Sequence, residues 1–162
     1  MGNMKVLLRE ATIDDLELLL AWRNQPLVYK GFYTQSKINK PISWQEHLTW
    51  WHKTKDWKRW IIQVDELELS DNLRDVGQVA VRDLYSWAPD MGIFIGETTL
   101  WGQGIGKQAL KLAMDWLRQN GYKYCRTDIL KSNERAIGLF ESVGFKRLTE
   151  GRKEEWMYKC QL

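Results

Sequence analysis

The chain has 162 residues, a formal net charge of +3, and a hydrophobic share of 44% against 28% charged residues. This suits one globular domain over residues 1–162, with a charge too small and scattered to point to nucleic acid. No apolar run nears the ~18 residues of a membrane span, and the opening MGNMKVLLRE lacks the apolar stretch of a secretory leader, so the expected compartment is the cytoplasm.

Residues 4–9 (MKVLLR) read as a first strand. Thr12 is placed to cap a helix carrying Asp14 and Asp15 in its first turn and Leu16, Leu19, Leu20 and Trp22 on its apolar side, with Gln25-Pro26 as its stop. Residues 29–43 read as loop. Ser43, with Glu46 three residues on, has the spacing of a capping box and opens a second helix. Strands are expected at 59–64, 76–83 and 91–96, with an acidic, polar turn over 65–75. A helix over 104–119 follows, with Leu110, Ala113, Met114 and Leu117 on one face and Asn120-Gly121 as its stop. Residues 122–130 read as a buried strand, Ser132 or Asn133 opens a short helix to about Ser142, and two closing strands (145–148 and 155–160) surround a turn at Gly151. The order β-α-α-β-β-β-α-β-α-β-β is that of a mixed α/β chain with seven strands and four helices. Cys125 and Cys160 fall in strand-like segments without metal-ligand spacing and read as buried thiols. Six of the ten tryptophans fall before residue 61, where they are expected mostly in packing, with a few free to line a groove.

The stretch LWGQGIGKQAL places Gly102, Gly104 and Gly106 directly before a helix. Bare backbone at a helix start exposes unpaired N–H groups and a partial positive charge, a setting that favours phosphate. The nucleotide-triphosphate loop does not fit, because Gln108 follows Gly106-Lys107 and Trp101 stands where its first glycine belongs. The dinucleotide fingerprint fails at Lys107.

A third pattern does fit. The loop Trp101-Gly102-Gln103-Gly104-Ile105-Gly106 resembles the [RQ]-x-x-G-x-[GA] signature of the GCN5-related N-acetyltransferase (GNAT) superfamily, with Trp101 replacing the usual Arg or Gln. Asn133, Ala136, Leu139, Phe140, Gly144 and Phe145 match that superfamily's second signature, N-x-x-[AS]-x-x-[LF]-[YF]-x-x-x-G-F. The resemblance implies a mostly antiparallel, mixed central sheet whose fourth strand bulges and whose fourth and fifth strands splay around acetyl-CoA, with no metal. It places the pyrophosphate on the backbone of Gln103, Gly104, Ile105, Gly106 and Lys107. It places the pantetheine arm on Ile93, Phe94 and Ile95, with Asn133 and Phe140 as further cofactor contacts.

Acetyl transfer needs a deprotonated amine and a donor for the charge that builds on the thioester oxygen, such as the N–H of Phe94 or Ile95. Asp128, on the strand expected to flank the thioester, is the first candidate base, and Glu97, just past the fourth strand, the second. Phe140 stands where many members of the superfamily carry a tyrosine acid; it cannot donate a proton, so water protonates the thiolate or the thiolate leaves unaided. The segments AWRNQPLV and ISWQEHLTWW resemble the branch containing ribosomal-protein N-terminal and nucleotide-linked amino-sugar acetyltransferases. That resemblance puts Trp22, Arg23, Asn24, His47 and Trp50 near the acceptor. The acceptor is then a small-molecule amine, for example on a nucleotide-linked sugar, or alternatively a protein N-terminus; a non-catalytic CoA-binding module is the reading from another class. Homodimers are common in the superfamily, and the tryptophan-rich surface would suit one.

Overall fold

A computed structural model describes residues 4–66, 72–150 and 153–162. Seven strands form one sheet in the order β1-β2-β3-β4-β5-β7-β6: β1 (Lys5–Glu10), β2 (Lys58–Asp65), β3 (Leu73–Arg82), β4 (Asp90–Ile95), β5 (Tyr124–Leu130), β6 (Lys146–Glu150) and β7 (Glu155–Gln161). Every neighbouring pair is antiparallel except β4 with β5. The described helices are α1 (Leu16–Arg23), α2 (Pro26–Tyr29), α3 (Tyr33–Ile38), α4 (Trp44–Lys53), α5 (Ile105–Gln119) and α6 (Glu134–Ser142).

Residues 29–43, expected as loop, contain the last residue of the short helix α2 and the whole of α3. Pro26 does not merely end α1; it starts α2, where a proline loses no helical hydrogen bond. Asn39 closes α3 at a φ of 52°, a left-handed conformation that Asn tolerates. Strand β3 begins at Leu73, so it takes in part of the expected 65–75 turn; the centre of that turn, and the expected Gly151 turn, lie outside the described residues.

The caps at Thr12 and Ser43 form as their spacing predicts. Thr12 accepts from a backbone N–H while the Asp15 carboxylate accepts from the Thr12 N–H at 2.8 Å, and Ser43 with Glu46 makes the same reciprocal pair.

The sheet has two differently covered faces. On one, α5 buries Ile105, Ala109, Leu110, Ala113, Met114 and Leu117, a helical stripe that meets Val79, Val81 and Met91 of the sheet. Cys125 and Cys160 face each other across β5 and β7 as buried free thiols, and burial pushes the Cys125 thiol up to about 12, so neither is a nucleophile. On the other face, α1 packs Leu19 and Trp22 onto Ile61 and Phe94.

Gly96, just past β4, lets that packing happen. A Cβ there would lie 2.1 Å from the Trp22 ring. Gly96→Ala is expected to lower folding stability by about 1–3 kcal/mol through overpacking. Urea titration checks this, and an unshifted midpoint would show that Trp22 can move aside at no cost.

The strands that matter most for function are β4 and β5. Their ladder holds one residue pair, Asp90 with Arg126. Beyond it the two parallel strands separate, while β4 keeps unbroken register with β3 from Asp90 to Ile95. The expected bulge is therefore not in β4. A register slip lies between β2 and β3: Ile62 faces Gly77 and Gln63 faces Asp75, so Val76 of β3 is the extra residue.

Candidate active site

One side of the β4–β5 opening leads into a cavity of about 710 Å³. Its lining includes Ile93, Phe94, Ile95, Gly102, Gly104, Ile105, Gly106, Lys107 and Asn133. Gly102 and Gly104 sit at φ 80° and 79°, conformations costly for a side chain, and a Cβ built on either meets nothing within 4 Å. These two glycines thus make a left-handed turn and keep the space above it clear. Gly106 serves otherwise: a Cβ there would press to 3.1 Å from Leu139 Cδ2, so it allows α5 and α6 to pack closely.

The turn delivers the N-terminus of α5 to the cavity with its donors free. Gly104 is the cap residue and has no side chain to fill the orphan N–H groups, and no acid lies in the first turn. The contrast with α4 is physical: there Ser43 and Glu46 consume the donors. An uncapped helix start beside Lys107, opening on a cavity, fits a diphosphate. The parted edge of β4 next to it has main-chain groups outside any ladder, which suits an extended amide-bearing arm. The residues present therefore fit coenzyme A.

Asn133 caps α6, its Oδ1 accepting from the Ala136 N–H at 3.2 Å, and its Nδ2 faces Gly31, where a Cβ would approach to 2.9 Å. Phe140, expected as a further cofactor contact, packs into the core. It is 3% exposed, meets Phe145 edge-to-face at 5.0 Å, and is absent from the cavity lining, because its side of α6 faces the core. Gln103 is exposed at the turn but is likewise absent from that lining.

The opposite side of the opening is a shallow trough. Arg59 of β2, Ala80 of β3 and Gly92 of β4 form one cross-strand row. Gly92 is exposed in the middle of a central strand, and a Cβ there would touch nothing. The adjacent row is Arg82, Asp90 and Arg126. Asp128 lies two residues past Arg126, as Gly92 lies two past Asp90, so strand alternation sets Asp128 on this face at the far lip of the opening. Its charge is felt by Asp90, whose own pKa is raised by burial and held back by Arg82.

The buried polar atoms on this side are unevenly satisfied. Among the described residues, the buried side-chain atoms without a hydrogen-bond partner are Arg23 Nε, Gln35 Oε1, both His47 ring nitrogens, Arg59 Nε, Gln78 Oε1 and Asp90 Oδ1. All belong to α1, α3 and α4 or to the sheet face beneath them. Leaving such atoms unpaired costs about 1–3 kcal/mol each, so their concentration on one face marks it for a polar partner.

Several residues expected at the acceptor have structural roles instead. Trp22 is 3% exposed and donates from Nε1 to Glu97 Oε1 at 3.3 Å. Glu97 also pairs with Arg74 at 3.2 Å, so this second candidate base is a tied anchor. Asn24 is fully used: Nδ2 donates to Ile42 O, and Oδ1 accepts from Ile42 N and Gln35 Nε2. His47 is 1% exposed and stacks on Trp50 at 5.2 Å, which removes it from solvent and from base chemistry. Trp50 is the hub of the wall. Arg23 lies over its ring and over Phe32, while Arg59 lies among Trp50, Trp51 and Trp57. Burial lowers both guanidinium pKa values to about 10. Linear spacing did not reveal Gly92, Ala80, Gln78 or Asp90, since only strand register brings them together.

Burial, then the charges of Arg23 and Arg59, push His47 from 6.5 down to about 4. Its neutral form is the folded form. The stabilisation it carries is complete above pH 6.5 and is lost as pH falls from there toward about 4. Thermal melts are expected to show the midpoint dropping across that window, with a shallower drop in His47→Gln; an identical slope in the variant would contradict the assignment.

The family model of the acetyltransferase (GNAT) domain matches residues 5–146. An uncharacterized protein of Methanocaldococcus jannaschii is 44% identical over 160 residues, which is 99% of this chain. The chain spans 32% of that relative's length. The crystal structure of a domain from the same organism superposes with a TM-score of 0.91 at 43% identity, covering 98% of this chain and 99% of that one. An aminoglycoside acetyltransferase in complex with coenzyme A shares the fold at a TM-score of 0.76 and 16% identity, over 97% and 95% of the two chains. The spermidine N-acetyltransferase of Vibrio cholerae, in complex with CoA and spermine, does so at 0.75 and 16%, over 96% and 95%.

Proposed function

The chain belongs to the acetyltransferase (GNAT) family, and from that premise we propose that it carries the acetyl group of acetyl-CoA to the primary amine of a small molecule, for example a nucleotide-linked amino sugar. The observation that carries this reading is the parting of β4 from β5 after a single pair, with the uncapped α5 terminus on one side of the gap and the Gly92–Ala80 trough on the other. Acetyl-CoA, when bound, supplies an activated thioester. The N–H groups of Ile105, Gly106 and Lys107 hold the diphosphate, and the β4 edge at Ile93, Phe94 and Ile95, where the Ile95 carbonyl already accepts from Trp101, aligns the arm. Asp128 holds the incoming ammonium at the lip of the gap by charge and accepts its proton, directly or through water. A main-chain N–H of Phe94 or Ile95 offers a donor to the oxygen on which negative charge builds.

Three features support a compact, polar acceptor. Gly92 and Ala80 leave room directly above the sheet. Aromatic faces on Phe32, Trp50 and Trp57 suit rings, and Arg23 and Arg59 suit an anionic group. The unpartnered Gln78 and Asp90 oxygens suit hydroxyl or amine donors. An aminoglycoside acetyltransferase and a spermidine N-acetyltransferase with this fold bear names of small-molecule amines.

A thiol-release screen with acetyl-CoA and a panel of amines tests the reading: amino sugars and their nucleotide-linked forms, polyamines, aminoglycosides and short peptides. Turnover confined to small amines is expected. Release only with peptides would replace the acceptor class, and release with none would remove the catalytic reading.

A further inference from the structure

Trp101 occupies the first loop position, where Arg or Gln is usual for the signature this chain resembles. Tryptophan brings neither a charge nor an amide to this position, and its side chain is held in place. Its Nε1 donates to Ile95 O at 2.9 Å, which fixes the indole beside the glycine turn as part of the cavity wall. On that ring lies Arg135, from the first turn of α6, with its guanidinium carbon 3.4 Å from the ring centroid. Arg135 also lines the cavity.

The pairing has a chemical consequence. A guanidinium lying over an indole can keep its N–H groups available to a further partner. Arg9, Arg74, Arg82, Arg118 and Arg126 each spend those donors on a carboxylate, whereas Arg23, Arg59 and Arg147, like Arg135, lie over aromatic rings, and of these four only Arg135 lines the cavity. Among the described residues Arg135 has no ion-pair partner, and it stands over Trp101 at the cavity that contains the free α5 terminus. Unpaired guanidinium donors at a cavity wall suit an anion bound inside it.

Resting on the reading of this cavity as the coenzyme A site, we propose that Arg135, shelved on Trp101, is a phosphate-binding residue that supplies a cation beside a loop whose first position carries none. Its ligand is a phosphate of coenzyme A. The pyrophosphate and the 3′-phosphate offer the same chemistry, and ligand variants separate them.

The test is calorimetric binding of CoA and of 3′-dephospho-CoA to the wild type, Arg135→Ala, Arg135→Lys, Trp101→Ala and the Arg135→Ala/Trp101→Ala pair. Arg135→Ala is expected to weaken CoA about ten- to a hundredfold, the value of one charge-assisted contact. Arg135→Lys, with the charge but no planar stack, recovers part of the loss. Trp101→Ala weakens binding too, and the pair binds no worse than Arg135→Ala alone, since the shelf acts through the arginine. If the Arg135→Ala effect vanishes with 3′-dephospho-CoA, the contact is with the 3′-phosphate; if it persists, the contact is with the pyrophosphate. Arg135→Ala binding CoA within about twofold of wild type would overturn the proposal while leaving the cavity assignment intact. A wild type with no affinity for CoA would overturn both.

Discussion

Asp128→Asn is expected to lower kcat at pH 7 by about 10²–10⁴-fold, the range of a positioned general base, while Kd for acetyl-CoA stays within about twofold. Asn keeps the shape of the side chain and removes the charge that holds an ammonium and accepts its proton. The split between turnover and cofactor affinity follows from geometry. Asp128 is placed on the Gly92 side of the β4–β5 opening, and it is absent from the lining of the cavity that holds Gly102 and Gly104. The comparison variant is Glu97→Gln. Glu97 is bound by Trp22 and Arg74, so its loss loosens the seat of α1 against β4 and costs stability more than turnover. Steady-state rates with saturating acceptor, together with calorimetry, check both. Equal rates for Asp128→Asn and the wild type would remove Asp128 from the chemistry, and a collapse in Glu97→Gln alone would pass the role of base to Glu97.

The second large effect is expected at Gly104. Valine there faces two penalties, a left-handed backbone at φ 79° and a side chain standing over the free N–H groups of α5. Loss of CoA binding in Gly104→Val would not by itself tell these apart. Gly104→Asn does, because Asn tolerates the left-handed region and still fills the space. Both variants are expected to weaken CoA at least about tenfold, with a lowered melting temperature in Gly104→Val and a near-native one in Gly104→Asn. Native affinity in a well-folded Gly104→Asn would show that the diphosphate lies elsewhere.

What the sequence discloses, and what it does not, follows from the range of the interactions. Caps at Thr12 and Ser43, the stripe on α5 and the glycine turn are local patterns a few residues long, and they read correctly from the chain alone. Residues 29–43 misled because Gly31, Asn39 and Pro41 punctuate them. Two helices of four and six residues are too short for a periodic signal to outweigh that punctuation. The acceptor side is legible only through register. Arg59, Ala80 and Gly92 are far apart in sequence and become one row because β2, β3 and β4 pair as they do. Trp22, Asn24 and His47 stood out as unusual residues near one another, yet Trp22 is bonded to Glu97, Asn24 to Ile42, and the His47 ring is buried against Trp50. An eye-catching cluster on a helix can be a clamp as readily as a site. Phe140 shows the same limit from another direction. A signature gives its position along the chain, but only the packing against Phe145 shows that it faces the core.

A crystal structure of the chain grown with coenzyme A tests the central claim most directly. The account predicts diphosphate density against the amides of Ile105, Gly106 and Lys107, and the pantetheine arm along Ile93–Ile95 in the opening beside β5. Well-ordered coenzyme A bound away from the Gly102–Gly104 turn, or a cavity still free of it at saturating concentration, would contradict it.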